Sequence, residues 1–163
     1  MAVDKISRER LLMLVSYDPL TGLFTNKVRR SMSPAGTVLR PRNRIAISIE
    51  GRHYQPAHLV WFFVHGKWPD LLIDHIDTNP ENNRIENLRE ANTTQNAHNR
   101  KVSKKNKSGL KGVNKATEAN RWQATIQVKG KKIYLGIFHT PEEAHAAYVE
   151  AATRLFGEFA RAA

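Results

Sequence analysis

Residues 73–100, IDHIDTNPENNRIENLREANTTQNAHNR, limit what this chain can become more than any other stretch. An apolar run, Leu71-Leu72-Ile73, ends in Asp74 and His75. A strand over residues 71–75 delivers those two side chains to its end on opposite faces, because strand side chains alternate. The TNPENN segment that follows has turn chemistry throughout, Asn-Pro and then Asn-Asn. A second short strand at Asn87-Leu88-Arg89 returns beside the first, and a short helix through Asn96 crosses the hairpin. Asn87 lies 12 residues after His75, and Asn96 a further 9 on. Such a unit can bring an Asp carboxylate and an Asn amide oxygen onto one divalent cation, and oxygen donors suit a hard ion such as Mg²⁺ or Mn²⁺. A neutral histidine beside them is suited to take a proton from water, its pKa lying near working pH. An Asn-rich turn next to a packed histidine is the plainer reading of the same residues.

This stretch resembles the HNH endonuclease motif, the ββα-metal fold. The resemblance rests on Asp74-His75-Ile76-Asp77, on Asn82-Asn83-Arg84-Ile85-Glu86-Asn87-Leu88-Arg89, and on Gln95-Asn96 with Asn99 following. It is similar to the His-Asn-Asn variant, with Asn96 in the third position. The resemblance implies His75 as general base, Asp74 and Asn96 as ligands of one Mg or Mn ion, and Asn87 as the brace that orients His75 through backbone hydrogen bonds. His98 competes with Asn96 for the third position, although Asn96 fits the spacing better. Nucleases of this kind often have His-Arg-Leu ahead of a tryptophan, whereas here His58 is followed directly by Leu59. His53, His58 and His65 read more simply as packed or solvated histidines.

Charge points to a polyanionic partner. The net charge is +11 and the isoelectric point about 10.2, a balance most often met in nucleic-acid binders. Residues 1–99 hold 13 Lys/Arg against 10 Asp/Glu, whereas residues 100–163 hold 13 against 5. The C-terminal third therefore carries most of the positive field. There is no cysteine, which excludes disulfide partners and a Cys-bound structural zinc. No apolar run is long enough to span a membrane, and the N-terminus lacks the apolar stretch of a signal peptide. The expected compartment is the cytoplasm, that of a bacterial host if the chain is phage-encoded.

Before the motif, the sequence predicts a short amphipathic helix over residues 6–16, a turn over residues 17–22 and a strand at Leu23-Phe24-Thr25. Residues 29–44 read as a polar loop whose Arg29, Arg30, Arg40, Arg42 and Arg44 are candidate phosphate contacts, each equally accounted for by solvation. A hairpin follows, residues 45–49 and then His53-Tyr54 about the turn at Glu50-Gly51. Residues 58–65 are apolar nearly all round and predict a buried core helix ending at Gly66.

Between residues 100 and 115 there are seven basic residues and no acidic one. Residues 101–108 read as a basic linker able to order along phosphates. Beyond it the sequence predicts three strands: one beginning at Leu110, one over residues 121–128 with Trp122, Ala124, Ile126 and Val128 on one face, and one over residues 132–138. Thr140, Pro141 and Glu143 then form an N-cap, a first-turn proline and a capping box ahead of a helix. This half resembles the APETALA-two/ethylene-response-factor type of DNA-binding domain. The residues that carry the likeness are Lys111-Gly112-Val113, Arg121-Trp122-Gln123-Ala124, Tyr134-Leu135-Gly136-Ile137-Phe138, and Thr140-Pro141-Glu142-Glu143-Ala144 with Ala147-Tyr148. It implies contacts to double-stranded DNA from Lys111, Arg121, Trp122, Lys131 and Tyr134, joined by Arg100, Lys101, Lys104, Lys105 and Lys107 of the tether. Asn114 and Gln127 stand where the plant domains usually have arginine, so their sequence preference does not transfer. Trp122 has an equal alternative as a core residue.

The expected fold class is α+β: a nuclease domain over residues 1–100, the linker over residues 101–108, and a three-stranded antiparallel sheet on one helix over residues 109–163. The expected function is a metal-dependent DNA endonuclease of homing or nicking type, directed by its C-terminal domain. The alternative is a DNA-binding transcriptional regulator with an inactive nuclease half. DNA is favoured over RNA by the resemblance alone. One active site reaches one strand, so a monomer would nick, and a double-strand break would need a homodimer or two events.

Overall fold

Short apolar segments separated by turns build the first half of the chain, and a longer sheet and helix build the second. The computed structural model describes residues 6–30, 32–41, 46–99, 102, 106–117, 120–128 and 130–160. The chain divides into two compact units, Met1–Ala91 and Asn92–Ala163. Arg42, Arg44, Arg100, Lys101, Lys104 and Lys105 lie outside the described residues.

In the first unit, helix α1 (Arg8–Leu14) starts at Ser7, whose hydroxyl accepts from the Arg10 N–H. It ends before the β-branched Val15, which opens strand β1 (Val15–Asp18). The helix is therefore shorter than the sequence predicted, and Tyr17 and Asp18 belong to a strand rather than a turn. Asp18 instead closes the turn from its strand end: Leu20 N–H donates to Oδ1 at 2.9 Å and the Thr21 hydroxyl to Oδ2 at 2.7 Å. The chain returns as β2 (Leu23–Asn26), antiparallel to β1 with Tyr17 opposite Phe24, and β3 (Val38–Leu39) pairs beyond it. A second hairpin, β4 (Ile47–Ile49) and β5 (Arg52–Tyr54), follows with Ile47 opposite Tyr54.

Helix α2 (Pro56–His65) begins two residues earlier than predicted, because Pro56 supplies the first helical position. It ends at Gly66, in the left-handed region at φ 73°. Leu59 and Val60 are fully buried in a core shared with Leu11, Val15, Phe24, Ile49 and Leu88. Trp68 stacks on Phe62 at 4.2 Å and on Tyr54 at 5.7 Å between ring centroids. Against this core runs a hairpin of β6 (Leu72–His75) and β7 (Leu88–Ala91), with Asp74 opposite Arg89 and His75 opposite Leu88. A turn of 3-10 helix, Ile85–Asn87, leads into β7.

The second unit starts with α3 (Thr93–His98). Its N-terminus is closed by a reciprocal pair: Gln95 N–H donates to Asn92 Oδ1 at 2.9 Å, and Asn92 N–H to Gln95 Oε1 at 2.8 Å. The unit boundary thus falls at Ala91/Asn92 and not after residue 100, because α3 packs with the 3-10 turn Gly157–Phe159 of the second unit. Residues 106–108, read from sequence as linker, are folded into this unit as well. Asn106 Nδ2 donates to the carbonyls of Leu110 and Val113, and the Ser108 hydroxyl reaches Asn106 Oδ1 at 2.6 Å.

Strands β8 (Val113–Lys115), β9 (Trp122–Val128) and β10 (Lys131–Phe138) form an antiparallel sheet in the order β10-β9-β8. Helix α4 (Pro141–Phe156) packs on one face. Its predicted capping box is present: Glu143 N–H donates to Thr140 Oγ1 at 3.2 Å, and Thr140 N–H to Glu143 Oε2 at 3.3 Å. Small residues let helix and sheet approach closely, with Val113, Ala124 and Ala144 in one cluster and Ile126, Tyr148, Ala151 and Ala152 in another. Gly112 sits at φ 77°, and a Cβ there would overlap the Tyr148 ring. A bulge between Tyr134 and Gly136 shifts the β9–β10 register, so Leu135 packs against both clusters.

Candidate active site

The β6–β7 hairpin sets the first two candidate residues. Asp74 is only 5% exposed and meets Arg89, its cross-strand neighbour, whose Nε and Nη2 both lie 3.0 Å from Oδ2. His75 follows at the strand end, on the other face and half-buried.

The loop between the strands is held by its own side chains. Asp77 is the hub. Its Oδ1 accepts from the Asn79 N–H at 2.8 Å and from Asn87 Nδ2 at 2.9 Å, and its Oδ2 accepts from Asn82 Nδ2 at 2.8 Å. Burial pushes the Asp77 carboxyl up, but the hydrogen bonds from Asn82, Asn79 and Asn87, with the nearby His75, outweigh it and hold it below the usual carboxylate range. Asn87 bridges both ends of the loop. Its Oδ1 accepts from the Asp77 N–H at 3.0 Å, its Nδ2 also donates to the Asn82 carbonyl at 2.8 Å, and its carbonyl accepts from the Ile76 N–H at 2.9 Å. Thr78 takes a positive φ of 62° and donates its N–H to the His75 carbonyl at 2.8 Å.

Asn83 meets the imidazole, and sequence reasoning gave it no role of its own among Asn79, Asn82, Asn83 and Asn87. His75 Nε2 lies 3.1 Å from Asn83 Oδ1. Asn83 is 5% exposed, and its segment is anchored from the first hairpin. The Tyr17 hydroxyl donates to the Asn83 carbonyl at 3.0 Å and accepts from the Ile85 N–H at 2.9 Å. Burial raises the Tyr17 pKa, while the Ile85 contact opposes that rise. Gly22, at φ 74°, packs so close that a Cβ would sit 2.6 Å from the Asn83 carbonyl carbon. No local signal announces these contacts, since Tyr17 and Asn83 are 66 residues apart.

Asn96 lies in α3, within the second unit, and is half-buried. Among the described residues there is no group of three or more His, Asp or Glu side chains placed to hold a metal ion. An Asp carboxylate and an Asn amide still match a hard divalent cation in donor chemistry. Such an ion would share the Asp74 carboxylate with Arg89 or displace the guanidinium.

The candidate DNA contacts of the second unit fall on different faces. Trp122 lies on the α4 side of the sheet, packed against the cluster of Val113, Ala124 and Ala144. That is the core alternative, and it separates Trp122 from Tyr134. Tyr134 is 56% exposed opposite Thr125. Lys107 and Lys131 are exposed. Lys111 is half-buried, with its carbonyl accepting from His145 Nδ1 at 3.0 Å. Arg121 Nη1 donates to His139 Nε2 at 3.0 Å. No described helix is long and apolar enough to cross a membrane.

Comparison with known proteins agrees with the hairpin. A family model described as HNH endonuclease matches residues 57–98, from α2 through α3. Protein 3.8 of Escherichia phage T7 is 35% identical over 108 residues, which cover 60% of this chain and 86% of that protein. An uncharacterised HNH endonuclease of Acanthamoeba polyphaga mimivirus is 40% identical over 98 residues, covering 60% of this chain and 50% of that protein. Residues 57–98 form an HNH endonuclease domain, and the chain is a nuclease.

Proposed function

We propose that the chain is a metal-dependent endonuclease that hydrolyses phosphodiester bonds in double-stranded DNA. The observation that carries this reading is the end of β6, where Asp74 and His75 stand together beside a loop locked by Asp77 and Asn87. In the proposed reaction His75 takes a proton from a water whose oxygen attacks phosphorus. The bond from phosphorus to the 3′ oxygen breaks, and that oxygen takes a proton from solvent, leaving 5′-phosphate and 3′-hydroxyl ends. A bound Mg²⁺ or Mn²⁺ would supply Lewis-acid stabilisation of phosphate charge, with Asp74 as its carboxylate donor. Asn96 enters as the second oxygen donor on sequence spacing alone. Arg89 holds the Asp74 carboxylate in place, and Asn87 keeps the loop closed beside His75.

The second unit is the proposed DNA-binding part, of the ethylene-response-factor kind. The exposed sheet face with Asn114, Gln127, Lys132 and Tyr134 supports this reading, as does the positive surplus of the C-terminal third. Phosphate contacts from its lysines would make binding steeply salt-dependent.

The test is supercoiled plasmid incubated with Mg²⁺ or Mn²⁺, beside EDTA and an Asp74→Ala/His75→Ala protein. Metal-dependent relaxation, absent from both controls, is the expected result. Salt-sensitive retention of plasmid on a gel without cleavage in either metal would replace this reading with a binding-only regulator. A plasmid lacking a required recognition site is covered by repeating the assay on randomised duplex.

A further inference from the structure

We propose that Asn83 is a positioning residue for His75, selecting which ring nitrogen carries the lone pair. The inference rests on the reading of His75 as general base and gives a role to a residue to which the motif assigned none. An amide oxygen only accepts hydrogen bonds, so the 3.1 Å contact between Asn83 Oδ1 and His75 Nε2 requires a proton on Nε2. The amide's orientation is fixed independently, because Asn83 Nδ2 donates to the Glu81 carbonyl at 3.4 Å. Turned over, the amide would set its oxygen against that carbonyl and its NH₂ against the ring. With Nε2 protonated, a neutral His75 carries its lone pair on Nδ1. Nδ1 is therefore the nitrogen that removes the proton from water.

The site is built to hold this choice. Asn83 is 5% exposed, so its amide has little room to rotate. Its backbone is fixed from a distant part of the unit, by the Tyr17 hydroxyl at 3.0 Å and by the packing of Gly22. Asn87 acts on other atoms, the backbone of Ile76 and Asp77 and the Asp77 carboxylate. The two asparagines divide the work: Asn87 closes the loop, and Asn83 sets the ring.

The direct test is ¹⁵N NMR of the His75 ring in the wild-type chain, at a pH where the ring is neutral. The expected spectrum has a protonated Nε2 and a bare Nδ1, and a protonated Nδ1 overturns the proposal. Variants give the kinetic half. Asn83→Leu keeps the size and removes the acceptor, whereas Asn83→Asp keeps an oxygen at the same place. Asn83→Leu should lower kcat by about ten- to hundredfold, the usual weight of a partner that orients a functional imidazole, with KM within about twofold. Asn83→Asp should retain most of the wild-type kcat. A kcat unchanged in Asn83→Leu, or a loss expressed in KM alone, sinks the inference. If His75→Ala cuts at the wild-type rate, the general-base reading fails instead, and the NMR result still reports on the ring contact by itself.

Discussion

The loop between β6 and β7 and the C-terminal sheet hold their shapes by opposite means. Between β6 and β7, Asp77, Asn82 and Asn87 bond side chain to side chain and side chain to backbone, with little apolar burial. In the second unit, α4 rests on β8–β10 through Ala124, Ala144, Ala151 and Ala152, with side-chain hydrogen bonds at the α4 cap and around Asn106 and Ser108 at the edge of the sheet. The first design is sensitive to the loss of a polar atom and the second to the gain of a carbon. Substitutions in the loop should therefore change rate or local order, and substitutions under α4 should change whether the unit folds.

The largest expected effect is His75→Ala. Cleavage should fall roughly 10²- to 10⁴-fold, the weight of a general base, with an unchanged thermal melting curve; single-turnover cleavage beside a melt separates the two. Gly112→Ala should do the reverse. It imposes a Cβ on the Tyr148 ring at a positive φ, and a loss of about 3 kcal/mol from overpacking and backbone strain should appear in chemical denaturation. Were Gly112→Ala as stable as the wild type, the contrast between the two regions would collapse.

Tyr17→Phe sharpens the comparison from the other side. The ring keeps its packing on Phe24 and Phe63, but the Asn83 carbonyl and the Ile85 N–H lose their partner. A cost of about 1–3 kcal/mol follows for buried groups left unpaired. Hydrogen exchange at the Ile85 amide should rise more than at the amides of β9. Thr140→Ala removes an N-cap oxygen from α4 and should cost about 1 kcal/mol, read as a small fall in melting temperature. Asp77 gives the smallest effect, one visible only in acid. Its folded pKa lies below the unfolded value, so its stabilising contribution is present above about pH 3.9 and is lost as pH falls through the folded value. The stability gap between wild type and Asp77→Asn should close over that acid window, and a gap constant from neutral pH downward would contradict the hydrogen-bonded hub.

Local signals in the sequence carried much of this architecture. Thr140, Pro141 and Glu143 announce α4 within four residues, and Glu50-Gly51 announces the β4–β5 turn. The Asp74, His75 and Asn87 spacing is equally local, since a hairpin and its loop contain it. The contacts that were not legible join distant residues or depend on packing. Tyr17 read as a turn residue because Asp18-Pro19 follows it, and nothing nearby indicates that its hydroxyl ends at Asn83. Asn83 looked equivalent to its neighbours because four asparagines share the loop, and only the fold decides which one faces the ring. The sequence reading put a boundary at the conspicuous charge run at 100–107, whereas the compact units divide at Ala91/Asn92, and the packing of α3 with residues 157–159 leaves no mark near residue 92.

The Tyr17–Asn83 bond also bears on the order in which the site comes together. The β6–β7 hairpin closes over few residues and can form fast, with its Asp77 hub already in place. Its final setting waits for a contact across 66 residues, and closing so long a loop is slow and entropically costly. The hairpin that makes this contact also lies ahead of residues 57–98, the span shared with the family model. A fragment cut down to that span would keep the motif and its local loop network, yet lack the part that times the maturation of the site.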